Sequence, residues 1–99
     1  MHVKLTLLLA PLLLAACASP ETRLRTGLMN AGLSEPMAAC VAGRMVDRLS
    51  LMQLRRIGDL PYARDERSVQ GFLHRVRALR DTEILTVASA SAAVCAVRG

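Results

Sequence analysis

The chain has 99 residues, enough for one small domain, with a formal charge of +5 and no tryptophan. Its first sixteen residues hold Lys4, a run from Leu5 to Ala16 made almost wholly of leucine and alanine, and no acid. Residues 17–99 carry twelve arginines, no lysine and eight acids, a formal +4, with Tyr62 and Phe72 as the only aromatics. These figures exclude a large enzyme core. They also argue against nucleic-acid binding, because the basic residues are not interleaved with aromatic stacking platforms.

Residues 1–16 have the layout of a secretory signal peptide: a short cationic start, an apolar run of twelve residues and a small-residue end. A membrane-spanning helix needs roughly 20 apolar residues, so this run is too short to be one. Its last residues and the next, Leu14-Ala15-Ala16-Cys17, resemble the lipobox of bacterial lipoproteins. The resemblance implies that signal peptidase cuts before Cys17 and that its thiol carries diacylglycerol, with an acylated new amino terminus. It further implies a location in the bacterial cell envelope. Ala18 stands where an Asp retains many lipoproteins in the inner membrane, which favours the outer membrane, facing the periplasm. The alternative is ordinary cleavage after Ala16 or Ala18, leaving a free thiol or no cysteine. Residues 17–19 then form the lipidated tether, and residues 20–99 the domain.

Ser19-Pro20-Glu21 predicts an N-cap, a proline at the first helical position and an early carboxylate favoured by the helix dipole. That helix runs through Leu24 and Leu28 and stops near Gly32. Ser34-Glu35-Pro36 starts a second in the same way, with Met37, Val41, Met45 and Leu49 recurring every four residues and Arg44, Asp47 and Arg48 opposite. Met37-Ala38-Ala39-Cys40 looks like a second lipobox, but Asn30, Gly32, Ser34, Glu35 and Pro36 before it cannot form an apolar leader. Ser50-Leu51-Met52-Gln53 fits a capping box. It opens a short helix with Leu51, Leu54 and Ile57 inward, Arg55 and Arg56 outward, and Gly58 at its end.

Asp59 to Asp65, with Pro61, reads as a loop. Val69, Phe72, Leu73, Val76 and Leu79 make the clearest amphipathic stripe in the chain. Asp81-Thr82-Glu83 caps a last helix whose narrow apolar face is Ile84, Val87, Ala88, Ser91 and Cys95. No stretch after residue 17 alternates with period two. The expected fold is therefore all-α, a bundle of four to five short helices. The segment from Ala39 to Leu54 also resembles the helix–Ser–helix core of small exported bacterial proteins to which no activity is attached.

With Cys17 lipidated, Cys40 and Cys95 remain, each on the apolar face of its helix. Export to an oxidising compartment predicts that they pair, tying the second helix to the last. The alternative is two separately buried thiols, which behave as small hydrophobes.

No catalytic constellation stands out. His74 is the only histidine after residue 17, too few for a zinc site, and the acids Glu21, Glu35, Asp81 and Glu83 sit at helix starts where capping explains them. No enzyme activity, metal or cofactor is expected. Arg44, Arg48, Arg55, Arg56, Arg75 and Arg77 are the candidate ligand-binding residues. Guanidinium groups suit lipid headgroups, lipopolysaccharide phosphates or cell-wall carboxylates, although the same arginines also serve as solubilising surface. The sequence thus predicts a lipid-anchored envelope protein with a structural or protein-interaction role. A binder of anionic envelope ligands, and a small inhibitor or accessory subunit of an envelope enzyme, are the alternatives.

Overall fold

The computed structural model describes residues 19–98. Within them lie five α-helices and no strand: α1 (Pro20–Asn30), α2 (Glu35–Val46), α3 (Leu51–Gly58), α4 (Val69–Arg77) and α5 (Thr82–Arg98). The expectations that fall on residues 1–18, including Cys17, lie outside this range.

Local chemistry sets most of the boundaries. Ser19 and Ser34 accept from the backbone N–H groups of Thr22 and Met37, at 3.3 and 3.4 Å, and each is followed by a proline in the first turn, where a missing N–H costs nothing. The capping box of α3 is complete. Ser50 Oγ accepts from Gln53 N at 3.2 Å while Gln53 Oε1 accepts from Ser50 N at 2.9 Å. The end of α1 is a Schellman turn. Leu33 N donates to Leu28 O and Gly32 N to Met29 O, and Gly32 sits at φ 120°, a conformation that side-chain-bearing residues rarely adopt.

The helices pack in two groups. Helix α1 lies against α2 and α3, and α4 lies against α5; α2 packs on α5 and joins the groups. Leu28, Val41, Met45, Ile57, Phe72, Val76 and Ile84 are fully buried and form one continuous core. Each such side chain stabilises the fold by about 1.5–3 kcal/mol relative to exposure. Cys40 and Cys95 are bonded across the α2–α5 contact, with their Cα atoms 5.9 Å apart. The predicted all-α architecture and its disulfide are therefore present.

Three details differ from the sequence-based expectation. Leu51 does not point inward; it is 51% exposed, because the first residue of α3 lies beyond the reach of the core that covers Leu54 and Ile57. Leu49 is buried but lies past the end of α2. Ser68, unremarked in the sequence, caps α4 by accepting from Gly71 N at 3.1 Å.

Helices α1 and α3 approach so closely that a Cβ built at Gly27 would stand 2.8 Å from Gly58 Cα, whereas one built at Gly58 would meet nothing within 4 Å. The two glycines therefore respond in opposite directions. Gly27→Ala incurs overpacking of roughly 1–3 kcal/mol against a propensity gain of about 1 kcal/mol, and its melting temperature should fall. Gly58→Ala keeps the propensity gain alone, and its thermal melt should be unchanged or higher.

The disulfide closes a sequence separation of 55 residues, for which the chain-entropy model gives about 4 kcal/mol. That is comparable to the whole stability expected of so small a core. Peptide mapping without reduction should recover one linked pair. Cys40→Ser/Cys95→Ser should melt many degrees lower or fail to fold, and a double variant melting like the parent would refute the bond's role.

Candidate functional site

Three places gather polar chemistry, and two of them turn out to hold the fold together. The first is the C-terminal end of α1. A helix leaves its last carbonyls without intrahelical donors and concentrates partial negative charge there, yet α1 has no basic residue in its last turn. Arginines from elsewhere in the chain supply both. Arg67 donates to Met29 O, with Ala63 O at 2.8 Å, and its guanidinium lies over the Tyr62 ring at 4.9 Å from the centroid. Arg75 of α4 donates to Ala31 O at 3.1 Å and to Asp65 O at 2.6 Å. Ala63 N donates to Asn30 O at 2.7 Å, so the loop after α3 is fastened to the same helix end.

The second is the junction of α3 with the turn before α5. Asp81 Oδ1 accepts from Ile84 N at 3.0 Å, capping α5, while its Oδ2 lies 3.3 Å from Arg56 Nη1. Gln53, already in the capping box, donates to Glu83 Oε1 at 2.6 Å and to Asp81 Oδ2 at 3.4 Å. Arg56 also donates to Leu79 O, in the turn after α4. The Asp81 carboxyl is held below its usual value of 3.8. The N–H of Ile84 is the main cause; partial burial opposes it, and the Gln53 amide, the Glu83 N–H and the Arg56 charge add to it.

The third is an open groove of about 420 Å³ between α1 and α3, lined by Pro20, Arg23 and Leu24 from α1, by Leu51 and Arg55 from α3, and by Asp59 just past it. Met52, the next residue after Leu51 on α3, is 66% exposed. Neither Arg23 nor Arg55 forms an ion pair among the described residues; Arg56–Asp81 does.

The six arginines singled out from the sequence therefore divide. Arg56 and Arg75 are bonded as above, and Arg48 donates to Arg44 O at 2.9 Å, near the end of α2. Arg44 is half-buried, and its Nε has no partner among the described side chains. Arg55 and Arg77 are exposed. The six form no single cluster. His74 is exposed on α4, and no group of three or more His, Cys, Asp or Glu among the described residues could hold a metal ion. Among those residues no helix is long and apolar enough to cross a membrane. Compared with known proteins, the chain matches no family model, no curated protein and no solved structure.

Asp81 gives the fold a pH dependence of defined sign. A carboxyl whose value is lower in the folded than the unfolded state contributes stability that is complete well above 3.8 and is lost as pH falls below it. The melting temperature followed by circular dichroism should decline on acidification through this range. Asp81→Asn keeps an N-cap acceptor but cannot titrate, so its acid decline should be shallower; parallel profiles would remove Asp81 as a source.

Proposed function

We propose that the chain is a lipid-anchored protein of a bacterial cell envelope, tethered through Cys17, whose folded part has a structural or protein-interaction role. The observation that carries this reading is the pairing of Cys40 with Cys95. Disulfides persist in oxidising compartments such as the periplasm and are rare in the cytosol. The bond uses two of the three cysteines and leaves Cys17 as the odd one. That residue follows the apolar run and the small pair Ala15-Ala16, in the lipobox-like order Leu14-Ala15-Ala16-Cys17. Helix α1 begins at Pro20, so the domain starts three residues beyond the cysteine.

Stable anchoring fits the chemistry. A single acyl chain binds membranes only marginally, at about 0.8 kcal/mol per buried CH₂, and a triacylated cysteine carries three. The wider role as a binder of anionic ligands through all six arginines loses support, because Arg48, Arg56 and Arg75 are engaged with the protein's own backbone. A structural or interaction role asks nothing of them.

Intact-mass measurement of the membrane fraction tests the anchor. It should find a chain beginning at Cys17 with acyl mass attached, and Cys17→Ala should abolish both the added mass and the membrane association. A soluble, unacylated wild-type product would sink the reading.

A further inference from the structure

The tether is short, and this limits how far the start of α1 can stand from the bilayer. Cys17 is three residues before Pro20, a span of at most about 10 Å of extended chain. Pro20 is itself a wall of the groove between α1 and α3. A domain held by acyl chains on Cys17 must therefore keep Pro20, in the lining of that groove, within about 10 Å of the lipidated cysteine.

What stands there matches a membrane surface. Leu51 and Met52 are 51% and 66% exposed at the start of α3, two large apolar side chains adjacent in sequence and left largely open. Arg23 and Arg55 line the groove with Leu51 and form no ion pair among the described residues. Of the nearby acids, Asp59 also lines the groove and Glu21 is turned towards Gly43 of α2, 3.3 Å from a Cβ built there. Exposed apolar side chains beside basic ones are the pattern of helices that lie in the bilayer interface, with the apolar groups among the headgroups and the guanidinium groups on lipid phosphates.

We propose that the groove edge formed by Leu51, Met52, Arg23 and Arg55 docks on anionic phospholipid, so that the anchored domain sits on the bilayer in one orientation. This rests on the lipid anchor proposed above. The anchor supplies attachment, and the edge supplies orientation. Val97, 90% exposed near the end of α5, is not part of this edge and serves as the reference position.

Because the chain has no tryptophan, a single one reports position without interference. The full-length chain carrying Met52→Trp, or Val97→Trp at a residue 90% exposed, is purified from membranes with its acyl mass verified. It is then placed in vesicles of phosphatidylethanolamine and phosphatidylglycerol containing doxyl-labelled lipid. Quenching should be several-fold stronger for Met52→Trp than for Val97→Trp. Adding Arg23→Gln and Arg55→Gln, or replacing the vesicles with phosphatidylcholine, should remove most of that difference. So should raising salt from 0.01 to 0.15 M, which shortens the Debye length from ~30 to ~8 Å. Equal quenching at the two positions in acylated protein overturns the docking while leaving the anchor intact. Blue-shifted but unquenched Met52→Trp emission overturns it too, because a second copy or another protein then covers the edge. An unacylated, soluble product overturns the anchor and the docking together.

Discussion

The fold depends on one seam. Helices α1 to α3 form one packed group and α4 with α5 another, and the contact of α2 with α5 brings them together. Each group alone is too small to bury a stable core, since a single core below about 70–80 residues rarely supplies more than 3–5 kcal/mol. The Cys40–Cys95 bond lies in that seam and prevents the groups from separating far even in the unfolded chain. Small residues on the α5 side, Ala88, Ser91 and Ala92, let the helices come close enough for the bond to form. The closeness has a cost. Ser91 is 1% exposed, and its hydroxyl finds no partner among the described residues.

A second fastening runs around the other side, and it is made of arginine. Guanidinium groups from Arg67 and Arg75 lie on the carbonyls that end α1, Arg56 reaches the turn after α4, and Arg48 closes on α2. A guanidinium offers five donors in a planar fork, so one side chain serves carbonyls from two segments at once. Arg75 does so, bridging Ala31 at the end of α1 and Asp65 in the loop. Lysine's single ammonium centre could not hold that spread. The arginine-only composition after residue 17 thus has a structural use that its charge alone does not suggest.

What was legible in the sequence follows the range of the interaction. The caps at Ser19, Ser34 and Ser50 and the carboxylate at Asp81 could be read because each partner lies three residues on. The α4 stripe could be read because Phe72 and Val76 repeat at helical spacing. Cys40 and Cys95 could be paired by elimination, since the chain offers few cysteines and each fell on an apolar face. The roles of Arg67 and Arg75 could not be read: their carbonyl partners lie 38 and 44 residues away. The exposure of Leu51 escapes the sequence for a related reason. Periodicity gives a helix a face, but only the packing of α1 against α3 decides where that face ends. The groove beside Leu51 is likewise a product of packing, invisible to any local pattern.

The wide separation of the paired cysteines also bears on the order of events while the protein is made. In an oxidising compartment that the chain enters amino end first, Cys95 arrives 55 residues after Cys40. During that interval the thiol nearest to Cys40 along the chain is Cys17, 23 residues before it, and a bond between those two would strand Cys95 and leave the α2–α5 seam open. In the proposed lipidated form the Cys17 sulfur is a thioether, which cannot exchange with a disulfide. Acylation would then act as a protecting group as well as an anchor, reducing three possible pairings to one before the last helix arrives.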